Sequence, residues 1–297
     1  MIADSASTSF KEIVLSKITA YMAFTKLRLT FLVVVSSVIG YAIGAVNFSW
    51  VEVLWLSLSG YLVTGASNGF NQIIEKDVDA LMNRTQSRPL PTGKMSVVEG
   101  MILSTLIGIG GLIILYLVFN PLSAILGALA LFSYVFIYTP LKKHTSWAVF
   151  AGAFPGAIPP MLGYVAATSD FDLYAGLLFA VQFVWQFPHF WAIAWVADKD
   201  YQKAGYRLLP SKGGKDSKSA FLILLYTLFL VPVGMLPWAF DLTGFHSAWT
   251  SALLAILFAV PAAFFYLNRT NKRAKLVMFA SFFYLPIIQL IYLLDKL

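Results

Sequence analysis

Residues Ser67–Gly93 read SNGFNQIIEKDVDALMNRTQSRPLPTG. Here a long apolar run turns into amides, then carboxylates, then arginines, and ends in a Pro/Gly turn. At 100° per residue, Asn68, Asn71, Glu75 and Asp79 fall at about 0°, 300°, 340° and 20°, within one arc of roughly 80° on a continuing helix. Asp77 falls near 180° and looks elsewhere unless the helix frays. Carboxylates one turn apart can share a hard divalent cation, and Mg²⁺ in particular keeps waters and is completed by phosphate oxygens. Arg84 and Arg88 follow, with Lys94 beyond the turn. Such cations suit phosphate, arginine through its planar fork. The stretch therefore marks both the end of a membrane span and the expected chemical centre of the chain.

Working outward, the 297 residues are 59% hydrophobic and only 12% charged, against roughly 25% charged in a soluble domain. Nine stretches approach the roughly 17 to 25 apolar residues that cross a bilayer: 24–46, 51–73, 97–119, 121–139, 146–167, 173–197, 219–240, 247–268 and 274–294. The expected fold is an all-α polytopic membrane protein, about nine transmembrane helices around a central cavity. Residues 1–23 form a Ser/Thr-rich segment running into an amphipathic pattern of Phe10, Ile13, Val14 and Ile18. They read as a cytoplasmic or interfacial segment without a cleavable signal, ahead of a membrane domain over 24–297. With these spans, 20 of the 21 Lys and Arg residues lie on one side, all but Lys296. The positive-inside rule makes that side cytoplasmic. Topology and anionic lipid account for the net charge of +7, with no nucleic acid required. The absence of cysteine excludes disulfides and thiolate chemistry.

Further candidates lie on the same side. Lys26 and Arg28 open the first span, either as interface anchors or as phosphate ligands. Tyr138 to Thr145 closes the fourth span as YTPLKKHT, whose Lys142 and Lys143 have the same two readings. The fifth span holds Gly152, Pro155, Gly156, Pro159, Pro160 and Gly163 and is expected to be broken, lining a cavity or simply kinked. On the sixth, Gln182, Gln186 and His189 form a polar stripe that faces the bundle interior, as a site or as hydrogen-bonding core. Asp198, Lys199, Asp200 and Tyr201 follow, repeating the mixture of carboxylates and cations in the first loop. Asp200 returns to the face of Gln182 and His189 if the helix continues, and Asp198 does not.

Two such loops, the first written N-x-x-x-(D/E)-x-x-x-D as Asn71, Glu75 and Asp79, resemble the UbiA superfamily of intramembrane prenyltransferases. The continuation Arg84-Thr85-x-x-Arg88-Pro89-Leu90-Pro91-x-Gly93 is similar as well. Three further stretches resemble the haem-modifying branch of that superfamily: Tyr138 to Lys143, Trp185-Gln186-Phe187-Pro188-His189-Phe190-Trp191, and Lys199-Asp200-Tyr201 with Ala204-Gly205. Two departures stand out. Glu75 occupies a position where the superfamily often has aspartate, and Asp198 is followed four residues on by Gln202 rather than a second aspartate.

The resemblance implies a bacterial inner-membrane enzyme with farnesyl diphosphate and haem b as substrates and Mg²⁺ as cofactor. Catalysis would rest on Asn71, Glu75, Asp79 and Asp200, with Glu75, Asp79 and either Asp198 or Asp200 as metal ligands. Lys26, Arg28, Arg84, Arg88, Lys142 and Lys199 would hold the diphosphate. Tyr138, Tyr201 and Gln186 would contribute to substrate binding and His189 would contact the haem. A haem A synthase or an oxidase-assembly protein is a candidate recipient of the product. The alternatives are the same fold acting on a phenolic (quinone-pathway) or chlorin acceptor, a polyanion transporter, or a haem-carrying chaperone.

Overall fold

The computed structural model describes residues 10–297, so the Ser/Thr-rich start of the chain lies outside the described residues. Among those residues the chain is helical, and one isolated bridge joins Thr243 to Lys296. In order the helices are α1 (Phe10–Phe24), α2 (Leu27–Gly44), α3 (Trp50–Ile74), α4 (Lys76–Asp79), α5 (Val97–Ile114), α6 (Pro121–Phe132), α7 (Thr139–Leu141), α8 (Ala148–Thr168), α9 (Leu173–Lys203), α10 (Ser217–Ala239), α11 (Phe245–Leu267) and α12 (Asn271–Leu294). Helix α5 runs on as a π-helical turn, Leu115–Phe119, and α6 runs into α7 through a second, Ser133–Tyr138.

The helix starts are written in the sequence. Ser49, Ser96, Asn120, Asp172, Asp216 and Thr270 each accept a hydrogen bond from the backbone N–H three residues on, which satisfies a donor that a helix start otherwise leaves free. Ser96 and Glu99 complete a reciprocal capping box. Among the described residues, eight helical runs are long and apolar enough to cross a membrane. Helix α3 has the length, 25 residues, but not the apolarity, because Glu52, Asn68, Asn71 and Gln72 interrupt it. Its amides are covered by neighbouring helices instead: Gln72 Nε2 donates to the Phe24 carbonyl at 2.6 Å and Asn71 Nδ2 to Thr139 Oγ1 at 3.1 Å.

The fifth span departs from expectation. Helix α8 is continuous from Ala148 to Thr168 with Pro155, Pro159 and Pro160 inside it. A proline frees the carbonyl four residues back, and Pro160 thereby frees that of Gly156. Gln182 of α9 answers it, Nε2 donating to the Gly156 oxygen at 2.6 Å, and Gln186 Nε2 donates to the Ala153 oxygen at 2.9 Å. Gln182 thus satisfies the carbonyl that Pro160 frees, and the two glutamines together tie α9 to α8 inside the bundle. On its other side α8 meets α2 backbone to backbone. A Cβ at Gly163 would lie 1.8 Å from the Ser37 oxygen, and one at Gly40 would lie 2.0 Å from the Pro160 oxygen.

The last helix closes on the first span. Gln289 Nε2 of α12 donates to Ser36 Oγ of α2 at 2.6 Å and to Gln182 Oε1 at 2.8 Å. Lys296 Nζ caps the end of α2, bonding the carbonyls of Ala42, Ile43 and Ala45 at 3.1, 3.2 and 3.2 Å. This seal lies at the opposite end of α2 from Lys26. Helix α1 is joined to α5 by Lys17 and Tyr21, which reach Glu99 at 2.9 and 2.6 Å, and leaves Val14, Leu15, Ile18 and Met22 exposed.

Candidate active site

A cavity of about 180 Å³ opens at the end of the bundle where α3 stops, lined among others by Lys26, Asn71, Glu75, Arg84, Arg88, Tyr138, Lys142 and Tyr201. These eight residues come from five separate places in the chain, and the fold brings all of them together. The volume lies below the roughly 300–1,000 Å³ of sites that enclose a drug-sized ligand, a scale that suits a diphosphate head group rather than a whole porphyrin.

The carboxylates sit where helix α3 gives way. Glu75 leaves helical geometry at φ −97° and ψ 6°, yet its N–H still bonds the Asn71 oxygen at 3.0 Å, and the Asp79 N–H bonds the Glu75 oxygen at 2.7 Å. The face therefore continues through the break, with Asn71, Glu75 and Asp79 buried and Asp77 exposed. Glu75 Oε1 pairs with Lys142 Nζ at 2.5 Å and accepts from the Tyr206 hydroxyl at 2.9 Å. Burial pushes its carboxyl pKa up, but Lys142 and Tyr206 outweigh that and hold it below the usual range. Asp79 behaves oppositely: Oδ2 pairs with Arg88 at 2.5 Å, but burial wins and its pKa is raised. Its second oxygen, Oδ1, is buried without a hydrogen-bond partner.

The cations are positioned by turns. Lys26 occupies a left-handed turn, φ 52°, between α1 and α2, which breaks the helix and swings its side chain into the cavity. Burial, together with Arg88 and Lys142, pushes the Lys26 ammonium down to about 7. Arg88 precedes the Pro89–Gly93 turn, whose Leu90 packs with Phe24 and Met95 in a small separate core. The π-helical turn Ser133–Tyr138 presents Tyr134 and Tyr138 to the same cavity, ring centroids 5.1 Å apart. Such turns recur at functional sites because they rotate the following residues by part of a turn.

Several sequence expectations fall elsewhere. Asp198 bonds Gln202 at the surface. Asp200 accepts the backbone N–H groups of Asn83 and Arg84 and so does not join Glu75 and Asp79. Arg28 and Lys199 are exposed and do not line the cavity. Gln186 is bonded to α8, and His189 Nδ1 lies 2.7 Å from Ser281 Oγ of α12 with its ring stacked 4.6 Å from Trp185. The polar stripe of α9 is thus committed to helix packing, while its neighbours Phe190 and Ile193 line the cavity. Sequence reasoning missed Tyr134 and Tyr206. The KAGYR run held a signal for the latter, an aromatic hydroxyl directly after a glycine turn.

No three carboxylate or histidine side chains among the described residues are grouped to cage a metal. Two carboxylates one turn apart, one with an orphaned oxygen, do fit an ion completed by substrate oxygens and water, which is how Mg²⁺ is commonly held.

Residues 33–284 match the profile of the UbiA prenyltransferase family. A protoheme IX farnesyltransferase of Flavobacterium psychrophilum is 48% identical over 93% of this chain and 94% of its own. One of Cytophaga hutchinsonii is 46% identical over 95% and 99%. Among solved structures, one described for digeranylgeranylglyceryl phosphate synthase superposes with a TM-score of 0.77 at 20% identity, covering 94% of this chain and 98% of that one. A UbiA homologue from Archaeoglobus fulgidus bound to GPP and Mg²⁺ superposes at 0.67 and 14% identity, covering 92% and 99%.

Proposed function

The chain belongs to the UbiA prenyltransferase family, and on that premise we propose that this membrane prenyltransferase joins a farnesyl group from farnesyl diphosphate to a vinyl group of haem b, giving haem O. The observation that carries the proposal is the cavity itself, where Lys26, Arg84, Arg88 and Lys142 gather around Glu75, with Asp79 buried behind the lining and paired with Arg88. That excess of cations leaves room for a polyanion. The names of the relatives at 46–48% identity supply the haem acceptor and the farnesyl donor. The cation-rich end would face the cytoplasm of a bacterial inner membrane.

In this mechanism Lys26, Arg84, Arg88 and Lys142 bind the diphosphate and stabilise the negative charge that grows on it as the farnesyl C1–O bond breaks and the electron pair leaves with oxygen. Glu75 and Asp79, ordered by Asn71, would hold Mg²⁺, which when bound with the diphosphate adds further neutralisation of the leaving group. The rings of Tyr134, Tyr138, Tyr201, Tyr206 and Phe190 line the cavity, and their π faces favour an allylic cation while the apolar walls keep bulk water from it. The vinyl π electrons form the new C–C bond. Water then adds to the resulting cation beside the porphyrin and loses a proton, leaving the hydroxyl group.

The test is a product assay on membranes containing the protein, with haem b, farnesyl diphosphate and Mg²⁺, read by mass spectrometry. The expected product is a porphyrin heavier by one farnesyl group plus one hydroxyl group, absent with EDTA and in Asp79→Asn. Prenylation of a phenolic acceptor instead would keep the mechanism and overturn the haem assignment.

A further inference from the structure

The end of α9 grips the first polar loop in a way the transfer chemistry does not use. Asp200 accepts the Asn83 N–H on Oδ1 at 2.9 Å and the Arg84 N–H on Oδ2 at 3.0 Å. Lys203 Nζ lies 3.5 Å from Asp200 Oδ1 and donates to Asn83 Oδ1 at 3.0 Å. The Arg84 guanidinium lies over the Tyr201 ring, 5.5 Å from its centroid. Arg84 and Tyr201 line the cavity and Asp200 does not.

A carboxylate that takes two successive backbone amides on its two oxygens fixes the peptide between them, and ionised acceptors make the stronger hydrogen bonds. Fixing the Asn83–Arg84 peptide sets the direction in which the Arg84 side chain leaves the loop, and the Tyr201 face holds the guanidinium from the other side. Without the clasp Arg84 is an exposed arginine on a loop of turns, with rotamer freedom to lose on each binding event.

We propose that Asp200 is a positioning residue, clasping the Asn83–Arg84 peptide so that Arg84 is aimed at the diphosphate, and that it is not a metal ligand. The proposal rests on the prenyl diphosphate reading above and assigns the carboxylate of the second loop a part in substrate affinity alone.

The test uses the full chain purified in detergent, with farnesyl thiolodiphosphate as a slowly ionising analogue. Analogue affinity is measured calorimetrically at saturating Mg²⁺, and Mn²⁺ affinity by electron paramagnetic resonance at saturating analogue. Asp200→Asn, which keeps one acceptor and loses the charge, is expected to weaken analogue binding about tenfold and leave Mn²⁺ affinity unchanged. Arg84→Met is expected to lose at least as much, and the double variant no more than Arg84→Met alone. Lys203→Met, which loosens the clasp from the solvent side, is expected to give a smaller loss in the same direction. Weaker Mn²⁺ binding in Asp200→Asn, losses that add to those of Arg84→Met, or unchanged analogue affinity would each overturn the clasp. If the wild-type protein binds no analogue, the prenyl diphosphate reading itself falls, and the clasp with it.

Discussion

Replacing Lys142 with methionine tests the balance of charge at the site. Lys142 Nζ and Glu75 Oε1 are 2.5 Å apart, with side chains only 9% and 4% exposed. At an effective dielectric of about 20, two unit charges at that distance attract by about 7 kcal/mol. Much of this offsets the cost of desolvating both groups, so the measurable quantity is the cost of deleting one partner, about 3–5 kcal/mol for a buried pair. Lys142→Met leaves Glu75 buried with the Tyr206 hydroxyl as its remaining hydrogen-bond donor, and the melting midpoint in detergent should fall by on the order of 10 °C. Glu75→Gln combined with Lys142→Met removes both charges and should recover most of that loss.

The pH dependence follows from the same pair. In the wild type the Glu75 carboxyl is held below its usual range, so its stabilisation is present above the unfolded carboxylate value and is lost as pH falls through the folded one. Without Lys142, burial, the largest single influence on this carboxyl, is no longer outweighed and the carboxyl rises. The activity of Lys142→Met should then climb with pH where the wild type is level. An unchanged midpoint in Lys142→Met, or a double variant whose loss equals the sum of the two single ones, would refute the reasoning.

Lys26, pushed down to about 7, is charged below that pH and neutral above it, so affinity for a prenyl diphosphate measured calorimetrically should fall between pH 7 and 9. Lys26→Met should bind weakly at pH 6 and show no such slope. Gly163→Ala places a Cβ 1.8 Å from the Ser37 oxygen, and the forced parting of α2 and α8 should cost about 3 kcal/mol, seen as loss of a monodisperse folded species. Gln182→Leu leaves the Gly156 carbonyl, Ser36 and Gln289 short of a partner, at about 1–3 kcal/mol for each unpaired group. Chemical unfolding checks this, and wild-type stability in that variant would contradict the proline–glutamine pairing of α8 and α9.

The first polar loop was legible because its chemistry is local. The face shared by Asn71, Glu75 and Asp79 follows from 100° per residue and survives the break at Glu75, since the i to i+4 hydrogen bonds continue through it. Long-range partners were not legible. Nothing in the spacing says that Tyr206 will donate to a carboxylate 131 residues away, or that Asp200 will take the amides of Asn83 and Arg84. Taken singly, the prolines of α8 indicate a broken or kinked helix and the glutamines of α9 a site or a hydrogen-bonding core. Only their pairing in space shows that one answers the other.

The seal that Lys296 makes on α2 also has a meaning in time. The carbonyls of Ala42, Ile43 and Ala45 leave the ribosome long before their partner, 251 residues separating Ala45 from Lys296. For that whole interval of synthesis the end of the first span is uncapped, and the barrel of helices is a gapped fence whose first post awaits the last rail. A nascent chain that has not yet reached residue 296 carries that opening until its last residues arrive.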